Sequence, residues 1–276
     1  MLMNPRSPAI PSRSPKPGEQ GVTLVELMIG LMVGLIVIAV VGTVFLSALR
    51  GSSDTLAIVK LNQQLRGSLG YLSADLRRAG YWAGSAEAAS DPTTPMDNPF
   101  TRRDAPATDI QIHAGGQCLM FSYDFDHDGD GQLYDEADPA AAPLYGYRLA
   151  DGNLQAVVPG TELGTDGTAS CDGALFEDLT DPGVTEVTSL AFSTAGSRCH
   201  NLDEDSTWTA PAGSTIPACD PATAGYDATA GDRMVEVRRI TITLTGRHAH
   251  DDQVTMTLTD TVKIRNNRIV TAEASP

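Results

Sequence analysis

The sequence predicts an α+β fold, with one long amino-terminal helix ahead of an antiparallel β-sheet domain. Three observations predict it. An uncharged run from Leu27 to Leu49 is apolar or small throughout. Leucines then recur at spacings of four and three from Leu61 to Leu76, as one helical stripe would place them. Short segments with strand-like composition or alternation follow only after residue 108, separated by Gly, Pro, Asn and Asp.

Residues 1–21 form a polar leader with Arg6, Arg13, Lys16 and Glu19, ending in Gly21. The run from Gly21 to Leu49 holds one carboxylate, Glu26. At ~1.5 Å per residue it makes a helix long enough for the ~30 Å hydrocarbon core of a bilayer. A secretory signal has an apolar region of only ~7–15 residues, and this run is longer. A plain membrane anchor fits the length but leaves Glu26 unexplained, because a charge in a membrane helix is costly. Gly30 and Gly34 form a GxxxG step, with Gly42 two turns on. Small residues let helices approach closely in lipid, although lipid also enforces helicity on glycine without any such role.

The leucines at 61, 65, 69, 72 and 76 give an apolar stripe that should pack on a sheet. Lys60, Arg66, Asp75, Arg77 and Arg78 mostly fall off that stripe. Ala79-Gly80 is a stop signal. The expectation is one helix over residues 22–79. Residues 22–50 form its membrane or assembly half, and residues 51–276 form an extracytoplasmic globular domain that includes its amphipathic half.

Residues 83–108 read as a loop. Strands are predicted at 109–113, 117–123, 144–149, 154–158, 186–194, Val235–Thr245 and Val254–Ile264. Asp151-Gly152-Asn153 reads as a hairpin turn. Ile240, Ile242 and Leu244 alternate with Thr241, Thr243 and Thr245, as in a half-buried antiparallel strand.

The 276 residues carry a net charge of −16, and the leader contributes +2, so the chain without it stands at −18. That balance argues against broad electrostatic binding of nucleic acid. No Ser/His/Asp or Cys/His arrangement points to an enzyme. His113, His127, His200, His248 and His250 fall in loops or at strand ends and are expected to face solvent.

The string Gly21-Val22-Thr23-Leu24-Val25-Glu26 resembles the type IV prepilin signal, with Val22 where that signal usually has Phe. The resemblance implies cleavage after Gly21 by prepilin peptidase and N-methylation of Val22. It also implies an assembly contact through Glu26. The chemistry is coherent: cleavage leaves an α-amino group on Val22, cationic or nearly so. Four residues on, the Glu26 carboxylate can reach that amine or a neighbouring subunit's. Three further strings narrow the resemblance to the PilW family of minor pilins: Leu76-Arg77-Arg78-Ala79-Gly80-Tyr81, Tyr147-Arg148-Leu149 and Val262-Lys263-Ile264-Arg265-Asn266-Asn267. These are similar in build to the J-type minor pseudopilin of type II secretion. The resemblance implies a pilin-like fold and a structural subunit that helps initiate or cap a type IV pilus. It implies an inner-membrane anchor with a periplasmic domain before assembly, then a place in the filament or at its tip. Other pilin or pseudopilin subunits would be its partners. A pseudopilin of type II secretion, or a membrane-tethered enzyme or sensor, are the alternatives.

An extracytoplasmic domain sits in an oxidising compartment, where an even cysteine count favours disulfides. Cys199–Cys219 would staple a loop rich in Gly, Pro and Asp, leaving Cys118–Cys171; the other two pairings and free buried thiols stay open. No CxxC pair suggests zinc. The acidic stretch Asp124, Asp126, Asp128, Asp130, Asp135 and Glu136, with Gly129 and Gly131, resembles a calcium loop of the EF-hand type. Neither frame supplies the bidentate Glu at position 12, and a solvated acidic turn is the other reading.

Overall fold

The computed structural model describes residues 21–86, 98–103, 107–124, 144–158, 171–172 and 175–272. It has the predicted α+β build. The chain separates into two compact units, Met1–Ser53 and Asp54–Pro276. A single helix, α1 (Leu24–Leu76), crosses that division. Its 53 residues span roughly 80 Å at the standard rise.

Among the described residues twelve strands follow, in chain order β1 (Gln111–His113), β2 (Cys118–Ser122), β3 (Leu144–Ala150), β4 (Asn153–Val157), β5 (Phe176–Asp178), β6 (Thr185–Ser193), β7 (Arg198–Asn201), β8 (Thr207–Thr209), β9 (Arg233–Val237), β10 (Arg239–His248), β11 (Asp251–Lys263) and β12 (Arg268–Thr271). β1 to β5 form an antiparallel meander in sequence order. A three-stranded sheet has the order β11-β10-β6, and a four-stranded sheet the order β12-β9-β7-β8.

The leucine stripe behaves as its spacing predicts. Leu61, Leu65, Leu72 and Leu76 are fully buried and Leu69 nearly so. They share one core with Leu119, Phe121 and Leu154 of the meander, and with Leu190, Phe192, Ile242, Leu244 and Val262 of the three-stranded sheet. A β-carbon at Gly246 would lie 3.1 Å from Leu65 Cδ2, so the bare backbone there admits the leucine. A smaller core gathers Trp208, Met234 and Ala218 around the Cys199–Cys219 disulfide. The other disulfide joins Cys118 to Cys171.

The β3–β4 hairpin closes on two residues, because Asn153 already pairs with Ala150. Asp151 and Gly152 both have positive φ, 51° and 76°. That is the backbone of a type I′ turn, whose twist matches the flanking strands.

One predicted strand is two. Val235–Thr245 breaks at Arg238, between β9 of the four-stranded sheet and β10 of the three-stranded sheet. The cause is burial of Arg238 itself, only 4% exposed. Its guanidinium donates to Asp109 and to the Asn266 carbonyl, which pulls the chain out of one ladder and into another. β5, β7, β8 and β12 lie outside the predicted strands. Asp109 and Ile110, expected to begin β1, precede it. His113 is half-buried in β1 rather than facing solvent, and burial lowers its pKa.

Candidate functional site

The amino-terminal segment is built around a helix cap. Gly21, Val22 and Thr23 precede α1. The Thr23 Oγ1 accepts from the Glu26 N–H at 3.2 Å. The Thr23 carbonyl accepts the first full helical bond, from the Leu27 N–H at 3.1 Å. Thr23 is therefore the N-cap, and Thr23-x-x-Glu26 has the spacing of a capping box. A carboxylate in the first turn is also favoured by the helix dipole. The spacing alone could have revealed Thr23 as the cap. Val22 lies two positions ahead of the first helical residue, so its relation to Glu26 is that of a flanking residue to the first turn.

Past the cap, the helix is apolar on every side. Eighteen large apolar side chains from Leu24 to Leu49 are each 51–75% exposed. Burying such a side chain is worth ~1.5–3 kcal/mol, so this surface carries tens of kcal/mol of drive towards lipid or neighbouring helices. By length and composition the helix can cross a membrane. A β-carbon at Gly30, Gly34 or Gly42 would meet nothing within 4 Å, so the GxxxG face has no partner among the described residues. Thr43 satisfies its own hydroxyl by donating to the Val40 carbonyl at 2.8 Å.

The carboxyl end of α1 carries a buried hydrogen-bond network. Asp75 was expected off the packed stripe, yet it is 5% exposed. A carboxylate in the last turn opposes the helix dipole and needs donors. It has three: Tyr123 Oη at 3.1 Å, Tyr147 Oη at 2.9 Å and Arg78 Nη2 at 2.8 Å. Burial pushes both phenols well above the usual tyrosine range. The Tyr145 hydroxyl reinforces this at Tyr123 and the Asp75 charge at Tyr147. They therefore stay protonated and donate.

The three strings that carry the family resemblance converge here. Asn266 donates its amide to the Arg78 and Ala79 carbonyls at 3.4 and 3.2 Å, capping the helix end. The Arg265 N–H donates to the Arg77 carbonyl. Tyr147, of the second string, holds Asp75 from β3. Gly80 takes a positive φ of 69°, and a β-carbon there would press on the Arg238 guanidinium.

Beside this end lies a buried ionic cluster that the sequence did not reveal. Asp109 faces Arg238, Arg103 and Arg268, the last two at 3.6 Å. Glu236 faces Arg103 at 3.2 Å and Arg268 at 3.8 Å. Burial lowers the Arg268 pKa, and the Asp109 charge opposes that. The cluster ties Arg103 and Asp109 to β9 and β12.

Of the acidic stretch, only Asp124 is described. Its Oδ2 accepts from the Ala83 N–H at 2.9 Å. Asp126, Asp128, Asp130, Asp135 and Glu136 lie outside the described residues. Among the described residues, no group of three or more His, Cys, Asp or Glu is placed to hold a metal.

Residues 54–264 match the family model of prepilin peptidase-dependent protein B. Residues 16–42 match the prokaryotic N-terminal methylation motif. No curated protein and no solved structure matches the chain.

Proposed function

The chain belongs to the prepilin peptidase-dependent protein B family, and from that membership we propose that it serves as a minor pilin of PilW type, helping to initiate or cap a type IV pilus. A pilin-type subunit is the coarser statement, and it stands on both matches. Such families are structural, and the proposed role needs no catalysis.

The single observation that carries the proposal is the methylation motif at residues 16–42 running directly into a helix whose apolar surface is exposed all round. A chain cut after that helix would lose its anchor. A chain cut at Gly21 keeps it, and gains an amine at Val22. In the proposed sequence, prepilin peptidase cleaves between Gly21 and Val22 and Val22 is methylated. The helix stays in the inner membrane with the domain in the periplasm. Glu26 then pairs with a subunit amine as the filament forms. Two oppositely charged groups removed from water together cost far less than either alone.

N-terminal mass spectrometry of the mature protein is the test. N-methyl-Val22 is the expected first residue, and a first residue near Gly51 overturns the reading. Glu26→Ala should leave the domain folded and the helix inserted while recovery with other subunits falls. Undiminished recovery would remove Glu26 from the assembly contact. Recovery in sheared pili, against recovery with secretion filaments, separates the pilus role from that of a type II pseudopilin.

A further inference from the structure

Strand β11 leaves one edge of its sheet open. It pairs with β10, and among the described residues no strand lies beyond it. The Ile264 N–H, just past β11, donates to the Arg238 carbonyl on the β10 side. Backbone direction alternates along an antiparallel strand. Over residues 255–263, where the pairing with β10 is regular, even-numbered residues therefore bond to β10 and odd-numbered ones face outward. The structure guards this edge at both ends. The Thr261 N–H donates to Asp260 Oδ1 at 2.8 Å, and Asp260 Oδ2 is held by the Ser73 hydroxyl at 2.7 Å. A charge turned inward in this way blunts an exposed edge. At the other end the pairing slips between Arg247 and His248, and the Gln253 N–H donates to Asp251 Oδ1 at 3.0 Å. Between the guards, Thr255, Thr257 and Thr259 are exposed and meet no partner strand among the described residues.

This open window is symmetric about Thr257 and complementary to itself. Laid antiparallel on a second copy, with Thr257 opposite the copy's Thr257, it sets Thr255 opposite the copy's Thr259. Outward-facing residues then meet outward-facing residues, so each N–H finds a carbonyl. The exposed row continues the threonine pairing already made by Thr245–Thr257 at 3.0 Å and Thr241–Thr261 at 3.1 Å. On the other face Met256 comes opposite Leu258, and both are half-buried residues bordering the core. No like charges meet across residues 254–260. We propose that β11 is a homotypic docking edge, which joins two copies of this chain into one continuous sheet about a two-fold axis. The direction of α1 says which copies can meet. Leu65 lies at Gly246, which is paired with Met256, and Ser73 lies at Asp260. This part of α1 therefore runs the same way as β11, and the two-fold axis reverses both. Subunits whose helices run the same way in one membrane cannot pair so. The contact joins copies approaching from opposite directions, as on two filaments. That setting rests on the pilin-type reading, whereas the contact itself does not.

Cysteine cross-linking of the purified full chain in detergent micelles is the test. The four native cysteines form two disulfides, so a new thiol reports alone. In the pair the two Thr257 Cα atoms stand ~5.5 Å apart, within the ~4.4–6.8 Å that a disulfide spans. Thr257→Cys should give a disulfide-linked dimer on mild oxidation. Thr255→Cys and Thr259→Cys should each link to themselves at least about tenfold more slowly, because their own mates lie roughly 13 Å away along the strand. A mixture of those two variants should link readily. Thr259→Pro removes an outward N–H and no bond to β10, so it should slow dimer formation by Thr257→Cys. Absence of a Thr257→Cys dimer at about 100 μM protein overturns the proposal. So does equal self-linking at 255, 257 and 259, which marks chance collision or a parallel pair. Linking of Thr243→Cys, on the central strand β10, as fast as Thr257→Cys equally overturns it. Should Thr259→Pro not fold, the pattern of positions decides alone. These links form on the purified chain whether or not it enters a filament, so this contact and the pilin reading fail separately.

Discussion

Replacing Asp75 by alanine should be among the most damaging single changes in the second unit. The carboxylate accepts from two buried phenols, and each hydrogen bond to a charged acceptor is worth ~1.5–3 kcal/mol. The Arg78 contact adds little, because that side chain is 53% exposed and its charge is screened. Truncation also strands two phenolic O–H groups in the core. Removing one partner from a buried charged network costs ~3–5 kcal/mol, and we place Asp75→Ala in that range. For a domain of about this size each kcal/mol lowers the melting temperature by ~2–4 °C, so the drop should be ~6–20 °C. Near-ultraviolet circular dichroism during thermal unfolding is the assay, since the stacked rings of Tyr123 and Tyr145 sit beside this network. Asp75→Asn, which keeps one acceptor oxygen and the shape, should lose about half as much. Tyr147→Phe combined with Asp75→Ala should cost less than the two separately, by ~1–3 kcal/mol of coupling. A melting temperature within about 2 °C of the parent for Asp75→Ala would refute the reasoning, because the network would then contribute nothing.

Alkaline pH tests the same cluster from the other side. Tyr123 and Tyr147 hold their protons more tightly folded than at their ordinary 10.0, chiefly through burial, so their contribution is fully present below that value. It is lost as pH rises towards the folded values, so the denaturation midpoint should fall above pH 10.0, and less steeply in Tyr147→Phe. In β3, Gly146→Ala should destabilise by ~1–3 kcal/mol or more in a denaturant titration, as the new β-carbon would lie 2.8 Å from the Leu119 carbonyl oxygen and against Met120 Sδ. Calcium bound by the acidic stretch would raise the melting temperature by mass action, and Asp126→Ala or Asp128→Ala would abolish the rise; calorimetry without calcium binding at millimolar levels leaves only a charged turn.

How much of this was legible in the sequence depends on how far apart the partners lie. The helix and its leucine face were legible because a 3.6-residue period is local, and so was the alternation of β10. The short strands β5, β7 and β8 were not: Arg198-Cys199-His200-Asn201 has no β-branched or alternating pattern, and only pairing with β8 and β9 makes it a strand. Arg238 fell inside the predicted strand Val235–Thr245. Its meaning comes from Asp109, 129 residues earlier, and no local period encodes that. Asp75 is the sharper case. It is three residues past Leu72 and one before Leu76, so it borders the buried stripe rather than opposing it. Two tyrosines brought by β3 and the end of β2 decide which way such a border position turns. A charged residue at the margin of an apolar stripe is therefore undetermined until its donors are placed. The strings Leu76–Tyr81 and Val262–Asn267, far apart in sequence, supply donors and acceptors to one another at a single helix end, and Tyr147 of the remaining string holds Asp75 just before it.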